Sequence, residues 1–243
     1  MKGVILAGGK ATRLHPLTRV TNKHLLPIYD RPLIYYPLQA IARAGVEEVL
    51  IITNPEHAGH FLQLLRTGSE FGLRLTYELQ EEAGGLAQAV GLAEPFARGT
   101  KLLVLLGDNI FTDDLRPSVE RFRNQDRGAV IFAKEVDEPQ HYGVVEIDGE
   151  AVLSIEEKPP QPKSRLAQTG IYLYDERVFS FISELSPSAR GELEITDLNN
   201  VYVSEGSMRC ETLDGWWIDA GTSHEELLAA NVRVAELRRS GLI

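Results

Sequence analysis

A pair of glycines with nearby cations follows the first apolar run of the sequence. Residues 3–6 read GVIL and residues 7–16 read AGGKATRLHP, so Gly8 and Gly9 stand at the end of a predicted strand. Arg13 follows in the same stretch, and Lys23 lies in the later segment NKHLLP. A glycine turn lets the backbone approach a phosphate and donate its N–H groups to the oxygens. The planar guanidinium of arginine matches phosphate geometry. The spacing favours a phosphate site.

Two other interpretations of this turn stay open. A strand-ending turn with solvated cations would explain the glycines without any ligand. A dinucleotide fingerprint needs G-x-G-x-x-G with an acidic residue about 20 positions later. Here the glycines are adjacent, the third glycine is missing, and Lys10 and Arg13 occupy the turn. The turn composition therefore disfavours a Rossmann dehydrogenase, and an NADH titration would test that class directly.

Two aspartates follow apolar runs and are candidate metal ligands. Asp108 follows LLVLLG, and Asp219 lies in GWWIDAGT. Oxygen ligands of this kind suit Mg²⁺, but an aspartate in these positions also caps a turn or a helix. Spacing alone does not bring the two together. Glu157 and Lys158 in EEKPP are equally consistent with an exposed charge pair before a proline loop.

Short apolar runs alternate with helix-like segments through the first half of the chain. Runs that are apolar throughout suit strands buried on both faces of a parallel sheet. The predicted strands are 3–6, 49–53, 73–77, 102–106, 129–133, 144–147, 151–155 and 170–174, with a hairpin turn at Asp148-Gly149. The predicted helices are 38–44, 55–68, 176–184, 195–203 and 223–239, with Gly45 and Gly68 as C-caps.

Composition limits the class of partner. The chain has 243 residues and a formal net charge of −10, which argues against a nucleic-acid partner. Cys210 is the single cysteine, so no internal disulfide is possible, and no apolar run approaches a membrane span. We expect a soluble, cytoplasmic α/β protein with one domain. The β-α alternation predicts a Rossmann-like doubly wound mixed sheet.

An ordered series of motifs resembles the sugar-1-phosphate nucleotidyltransferases, and glucose-1-phosphate thymidylyltransferases in particular. The series spans nearly the whole chain and comprises LAGGKATRL (6–14), KHLLP (23–27), PIYDRPLIYYP (27–37), GLAQA (85–89), LGDNIF (106–111), YGVV (142–145), EEKP (156–159) and ARGELEITD (189–197). One departure is Ala11, which stands where the family usually has glycine. Its Cβ is tolerable if the φ angle there is negative.

The resemblance implies Mg²⁺-dependent transfer of a nucleotidyl group from dTTP to glucose-1-phosphate, with release of pyrophosphate. It implies one nucleotidyltransferase domain over residues 1–243, with a nucleotide-binding half (about 1–135) and a sugar-phosphate-binding half (about 136–243). It assigns catalysis to Arg13, Lys23, Asp108 and Lys158, and metal binding to Asp108 and Asp219. The implied nucleotide contacts are Gly8, Gly9, Thr12, Arg13, Lys23, Gln80, Gly85 and Asp108. The implied sugar-phosphate contacts are Tyr142, Gly143, Glu157, Lys158, Thr169, Gly170 and Arg190.

Alternatives on the same fold remain at this point. Gln80 as the base-reading amide would serve thymine and uracil alike, so a uridylyltransferase is open. A non-catalytic subunit that senses nucleotide sugars is a second alternative. The resemblance also suggests a homo-oligomer, and longer members of the family carry C-terminal helices at a product site, so we expect weak feedback here. The histidines show no convincing zinc spacing, and the two tryptophans are interpreted as packing residues.

Overall fold

A large mixed β-sheet forms the centre of the molecule, for which the computed structural model describes residues 1–241. The strands are β1 (Lys2–Leu6), β2 (Pro27–Ile28), β3 (Arg31–Pro32), β4 (Glu48–Thr53), β5 (Arg74–Leu79), β6 (Leu102–Leu106), β7 (Asn109–Phe111), β8 (Ala129–Glu135), β9 (Gly143–Asp148), β10 (Ala151–Glu157), β11 (Leu166–Tyr174), β12 (Met208–Thr212) and β13 (Trp217–Asp219). Nine of them form the main sheet in the order β5-β4-β1-β6-β11-β8-β12-β10-β9.

Helices cover both faces of this sheet, as the doubly wound prediction requires. They are α1 (Tyr35–Arg43), α2 (Ala58–Leu65), α3 (Leu86–Gly91), α4 (Glu94–Ala97), α5 (Arg116–Asn124), α6 (Val178–Glu184), α7 (Ile195–Ser204) and α8 (His224–Arg239). Within residues 1–241, none of the helices has the length and apolar character that crossing a membrane requires.

The first strands are apolar throughout because each of their faces packs against helices. Val4 belongs to the core shared with α3, α6 and α7, whereas its neighbour Ile5 belongs to the core shared with α1, α2 and α5. Strands β5, β4, β1 and β6 pair in parallel. β1 therefore lies between β4 and β6, and its carboxyl end is a point where the strand order reverses, the usual place for a ligand in an open α/β sheet.

The second half of the chain interlocks with the first. Strand β11 inserts antiparallel between β6 and β8, which makes the sheet mixed and confirms the predicted fold class. It begins at Leu166, earlier than the predicted start at Gly170. The pairing of β11 with β8 is interrupted between Gln168 and Tyr172. A bulge of this kind redirects side chains and is common beside functional sites.

Of the two glycines predicted to end helices, Gly45 does so and Gly68 does not. Gly45 follows α1 with φ 74°, and its N–H donates to Ala42 O at 3.1 Å, as predicted for a C-cap. The predicted helix 55–68 is wrong at its end, because α2 stops at Leu65 and Arg66 has φ 50°. Gly68 instead allows close packing on β5, since a Cβ there would lie 3.0 Å from Leu75 Cδ1.

A small third layer holds the last helix against the sheet's ligand-binding edge. β7 pairs antiparallel with β13, and α8 packs behind this pair through residues such as Leu227, Ala230 and Val234. Ser223 caps α8, because its hydroxyl oxygen accepts a hydrogen bond from Glu226 N at 3.0 Å. Asp219 is therefore not the cap of this helix.

Asp175 is a buried anchor at the end of β11. Its carboxylate accepts hydrogen bonds from Gly128 N at 2.7 Å, Tyr202 OH at 2.9 Å and Arg177 Nε at 2.8 Å. Because Asp175→Ala leaves these donors without an acceptor, we expect it to lower the free energy of unfolding by about 3 kcal/mol in urea denaturation. The matched control Asp126→Ala, at an exposed position, should change it by less than about 0.5 kcal/mol. Equal effects of the two variants would contradict this anchoring role.

Candidate active site

The glycine turn lies at the carboxyl end of β1, in the middle of the sheet. Gly9 has φ 91°, a conformation that glycine adopts without strain. Ala7 N donates to Ile52 O at 2.7 Å, and Asn22 Nδ2 donates to Ala7 O at 3.0 Å. The start of the turn is therefore tied to β4 on one side and to the segment that carries Lys23 on the other.

Ala11 adopts a left-handed backbone conformation, with φ 46° and ψ 39°. The condition that we set from the sequence, a negative φ at this position, is therefore not met. A residue with a Cβ in this conformation is strained by about 1–2 kcal/mol. Hydrogen bonds hold the strained residue in place, because Thr18 Oγ1 and Leu14 N both donate to Ala11 O, at 2.8 and 3.1 Å.

Asp108 and Asp219 meet although 110 positions separate them in the sequence. The pairing of β7 with β13 sets Asp219 opposite Asn109, the residue after Asp108, and Ala220 N donates to Asp108 O at 3.0 Å. The Asp219 Oδ1 atom accepts a hydrogen bond from Gly221 N at 3.0 Å. The tertiary structure thus supplies the proximity that the spacing of the sequence could not show.

Lys23, which is half-buried, forms an ion pair with the buried Asp108. Burial alone would lower the pKa of Lys23, but the charges of Asp108 and Asp219 outweigh it and raise this pKa. Burial would likewise raise the pKa of Asp108, but the Lys23 ammonium lowers it to about 2. Asp219 forms no ion pair within residues 1–241, and burial, followed by the charge of Asp108, raises its pKa to about 6 against the opposing charge of Lys23. The single positive charge of Lys23 therefore offsets only part of the negative charge of the two carboxyl groups.

His24 stays neutral beside this cluster. Burial, followed by the positive charge of Lys23, lowers the pKa of His24 to about 3. Its backbone N–H donates to Asn22 Oδ1 at 2.9 Å, and its Nδ1 lies 2.6 Å from the same oxygen. The ring packs against Gly107, where a Cβ would lie 2.7 Å from His24 Cδ2. Gly107 and His24 thus fix the turn that points Lys23 at Asp108.

The two carboxylates fit a hard divalent cation. Mg²⁺ prefers oxygen ligands, and in nucleotide sites one or two carboxylates hold it together with substrate phosphates. Within residues 1–241, no group of three or more His, Cys, Asp or Glu side chains is arranged as a self-sufficient metal site. Burial, followed by the negative charge of Asp108, raises the pKa of Asp219, and a bound cation would favour its ionised form. Asp108 and Asp219 are the residues that could hold it.

Two adjoining depressions open above this cluster. The first depression is lined by Gly8, Gly9, Lys23, Gln80, Gly85, Asp108 and Asp219, among others. The second depression is lined by Arg13, Tyr142, Gly143, Glu157, Lys158, Thr169, Gly170, Arg190 and Asp219, among others. Asp219 borders both depressions, so two ligands bound in the two depressions would come together beside its carboxylate. The structure therefore brings the predicted residues together in two adjacent sets, apart from Thr12.

Thr12 and Arg13 lie differently from the single nucleotide set implied by the resemblance. Thr12 lines a separate shallow depression with Gly9, Lys10 and Arg19. Arg13 lines the second depression and not the first. A guanidinium at this place can serve an anion near the boundary of the two depressions.

Gln80 presents an oxygen to the first depression. Its Nε2 donates to Gly85 O at 3.1 Å and to Gln88 Oε1 at 2.6 Å, so both amide protons are used within the protein. Its Oε1 lies 3.0 Å from the position of a Cβ on Gly8. From the sequence we expected both the oxygen and the nitrogen of this amide to read the base, whereas in the structure only the oxygen is available. This oxygen suits a ring N–H, which thymine and uracil share.

A loop from the second half of the chain is fastened to the wall of the first depression. Leu193 N donates to Gly84 O at 2.7 Å, and Ala87 N donates to Leu193 O at 3.1 Å. Gly85 has φ 99°, and a Cβ there would lie 2.8 Å from Leu193 N. Glycine is therefore required at position 85 for two reasons. Its backbone φ angle is positive, and a side chain would block the close approach of the loop that carries Arg190.

The cations of the second depression are held by neighbouring carboxylates. Lys158 Nζ lies 2.9 Å from Glu157 Oε1, and Arg190 Nη2 lies 2.8 Å from Glu194 Oε2. Lys158 has φ 46°, and its N–H donates to Tyr142 O at 3.0 Å. Strained residues of this kind cluster at ligand sites because the surrounding structure must hold them. Glu157 and Lys158 are both exposed and paired, as the simpler interpretation of EEKPP expected, and they also line the second depression.

Several residues of the site were not singled out from the sequence, although Asn109 lies in the motif LGDNIF and Glu192 in ARGELEITD. Asn109 Oδ1 accepts from Gly170 N at 2.9 Å and from Trp217 Nε1 at 2.7 Å, and so connects β7 to β11. Trp217 is buried, as a packing residue should be, but it also borders the second depression. Gln168 and Glu192 line the cavity as well. The motifs could have drawn attention to Asn109 and Glu192, whereas only tertiary contacts place Gln168 at the site.

Known proteins resemble this chain over nearly its full length. Residues 2–236 match the family described as Nucleotidyl transferase. The chain is 47% identical to a glucose-1-phosphate thymidylyltransferase of Neisseria meningitidis, over 93% of this chain and 80% of the relative. For the enzyme of the same name from Mycolicibacterium smegmatis the identity is 46%, over 98% and 84%. The chain belongs to the glucose-1-phosphate thymidylyltransferase family.

Solved structures agree with this family membership. A Bacillus anthracis protein assigned as a glucose-1-phosphate thymidylyltransferase and crystallised with sucrose has a TM-score of 0.91 at 51% identity, over 96% of this chain and 94% of that one. A UDP-glucose pyrophosphorylase with bound UDP-glucose has a TM-score of 0.84 at 23% identity, over 97% and 98%. The second likeness concerns the fold alone. The recognised motifs thus identified the family correctly.

Gly221 provides the space for the ion pair at the centre of the site. A Cβ on Gly221 would lie 2.8 Å from Lys23 Nζ and closer still to Asp108 Oδ2. Because Gly221→Ala must displace this pair, we expect it to lower the turnover number of this thymidylyltransferase-family chain about 100-fold in a pyrophosphate-release assay. Gly59→Ala is the control, since a Cβ there meets nothing within 4 Å. Turnover of Gly221→Ala within twofold of wild type would contradict the role of this spacing.

The raised pKa of Asp219 predicts that its ionisation destabilises the ligand-free fold. A carboxyl whose pKa rises on folding contributes stability at low pH, and this stability is lost as the pH rises from its ordinary value of 3.8 through about 6. Asp219→Asn should therefore raise the melting temperature by about 3 °C above this range and by nothing below it. Calorimetry across this pH range, with the exposed Asp126→Asn as control, measures the difference. A pH-independent gain would contradict this explanation.

Proposed function

We propose that this chain transfers a thymidylyl group from dTTP to glucose-1-phosphate, giving dTDP-glucose and pyrophosphate. The observation that carries the proposal is the Lys23–Asp108–Asp219 cluster, with Asp108 buried and the other two half-buried, at the boundary of two depressions. Two anionic substrates must meet in this reaction, and the cluster provides cation and metal-ligand chemistry at their meeting point. Relatives more than 40% identical over most of the chain carry the name of this activity.

The reaction needs no enzyme nucleophile. A phosphate oxygen of the sugar phosphate forms a bond to the α-phosphorus, and the bond from this phosphorus to the bridging oxygen of the β-phosphate breaks. Pyrophosphate leaves with the electron pair. Because both reactants are anions, catalysis rests on positioning and on neutralising charge. A cavity with cations on both sides of a shared carboxylate meets this requirement.

The second depression is the proposed sugar-phosphate site. Lys158 and Arg190 would contact the phosphate, and Glu157 would accept hydrogen bonds from sugar hydroxyls. Tyr142, Gly143, Thr169 and Gly170 would line the pocket around the sugar. In the ligand-free chain the two cations pair with Glu157 and Glu194, so an incoming phosphate would compete for them.

The first depression is the proposed nucleotide site. Gly8 and Gly9 would admit the nucleotide, Gln80 Oε1 and Gly85 would contact the base, and Lys23 would neutralise phosphate charge. Thr12 and Arg13 would extend the triphosphate contacts beyond the first depression. This arrangement leaves dTTP and UTP equally matched by the Gln80 oxygen, and the names of the relatives favour dTTP.

Nucleotidyltransferases of this family generally use a divalent metal, and we propose Mg²⁺, held by Asp108 and Asp219. When bound, Mg²⁺ supplies positive charge to the phosphates. We also propose that the chain forms a homo-oligomer in the cytoplasm and that residues about 1–135 and 136–243 act as nucleotide-binding and sugar-phosphate-binding halves.

Pyrophosphate release with glucose-1-phosphate and Mg²⁺, run separately against dTTP, UTP, ATP, CTP and GTP, tests the proposal. We expect a rate with dTTP that is lost on adding EDTA, and a kcat/KM with dTTP above that with UTP. Asp108→Asn should lower the rate by about 100-fold or more, because it removes a charge that must be in place before reaction. Asp126→Asn is the exposed control.

The outcomes separate the alternatives. A higher kcat/KM with UTP would favour the uridylyltransferase. Binding of dTDP-glucose without a rate for any nucleotide would favour the nucleotide-sugar-sensing subunit. Either result would overturn the proposed activity.

A further inference from the structure

Gln168 lies in the wall of the second depression, although no motif pointed to it. It is half-buried on β11, at the last residue before the pairing with β8 is interrupted. Tyr172, beyond the interruption, lines the same depression. The bulge therefore brings the polar end of Gln168 and the hydroxyl of Tyr172 to one side of the cavity.

Gly143 leaves Gln168 and Glu157 side by side. A Cβ on Gly143 would lie 3.4 Å from Glu157 Oε2, 3.5 Å from Gln168 Cβ and 3.8 Å from Gln168 Cδ. A carboxylate oxygen and a carboxamide thus border the same small volume, which a side chain at position 143 would fill. The glycine here opens the surface between a hydrogen-bond acceptor and a potential donor.

Hydrogen bonds behind the cavity fix the orientation of the Gln168 amide. Its Oε1 accepts from Asn199 Nδ2 at 3.2 Å, and Asn199 Oδ1 accepts from Tyr174 OH at 2.6 Å. Its Nε2 donates to Tyr172 OH at 3.3 Å. An amide nitrogen carries two protons. The second proton has no acceptor within residues 1–241, and Gln168 borders the open depression.

Glu157 is fixed on the other side of the same volume. Its Oε2 accepts from Thr196 Oγ1 at 3.0 Å, and its Oε1 pairs with Lys158. A carboxylate accepts hydrogen bonds and an amide N–H donates one, whereas each sugar hydroxyl can do both. A fixed acceptor beside a fixed donor therefore matches two neighbouring hydroxyl groups on one hexose ring.

We propose that Gln168 is a specificity-determining residue that donates a hydrogen bond to one hexose hydroxyl, next to a hydroxyl held by Glu157. This role rests on the proposed function, because it requires a sugar phosphate in the second depression. In this role Gln168 contacts the sugar phosphate and does not contact the nucleotide.

Monodeoxy analogues of glucose-1-phosphate test this role, each lacking the hydroxyl at one ring position other than the phosphorylated one. In the wild-type chain, we expect the analogue that lacks the Gln168 partner to lose about tenfold in kcat/KM, the effect of one hydrogen bond. In Gln168→Met, an unbranched apolar replacement, the kcat/KM for the same analogue should lie within twofold of the kcat/KM for glucose-1-phosphate. The KM for dTTP should stay unchanged. Gln168→Leu provides the comparison if the Met variant does not fold.

Tyr174→Phe is the matched control. It removes the hydroxyl that donates to Asn199 but keeps both hydrogen bonds of the Gln168 amide, to Asn199 and to Tyr172. It should therefore lower the melting temperature and leave the wild-type pattern of deoxy-sugar penalties intact. If Tyr174→Phe abolishes the penalty as Gln168→Met does, the effect is structural and the role of Gln168 is overturned. An active wild type whose penalties all persist in Gln168→Met also overturns it. A wild-type chain that releases no pyrophosphate overturns the proposed function, and this role with it.

Discussion

The central constraint in this site is that one lysine compensates only part of the negative charge of two carboxyl groups, the buried Asp108 and the half-buried Asp219. Asp108 and Asp219 lie where β7 and β13 pair, and Lys23 reaches Asp108 from a separate turn. Buried charges are costly unless they are paired and hydrogen-bonded. The surrounding residues satisfy this need locally, and the negative charge that remains is available to a cation.

Small residues make this cluster possible. Gly221 leaves room for the ion pair, and Gly107 leaves room for the neutral ring of His24. Asn22 ties the Lys23 turn to the end of β1. None of these three residues is charged, yet each decides where a charged side chain stands. The positions of the charges are therefore a property of backbone packing as much as of the charged residues themselves.

Two residues with a Cβ adopt the left-handed conformation near the proposed site, Ala11 beside Thr12 and Arg13, and Lys158 in the second depression. Ala11 belongs to the loop between the glycine turn and Arg13, and Lys158 lies in the wall of the second depression. Such a conformation costs about 1–2 kcal/mol per residue. It is maintained by hydrogen bonds from Thr18 and Leu14 to Ala11 O, and by the bond from Lys158 N to Tyr142 O. The fold thus stabilises strained backbone at the two places where anions are proposed to bind.

Signals in the sequence were enough to predict the family, the doubly wound class and most of the residues that gather at the site. Apolar runs and glycines at the ends of helices are local signals, so they were sufficient to predict β1, β4, β6 and the C-cap at Gly45. The end of α2, the left-handed Ala11, the meeting of Asp108 with Asp219 and the place of Gln168 beside Glu157 were decided by tertiary structure. These features depend on strand insertion, cross-strand register and close approach between segments distant in sequence, and such contacts leave no periodic pattern in the chain.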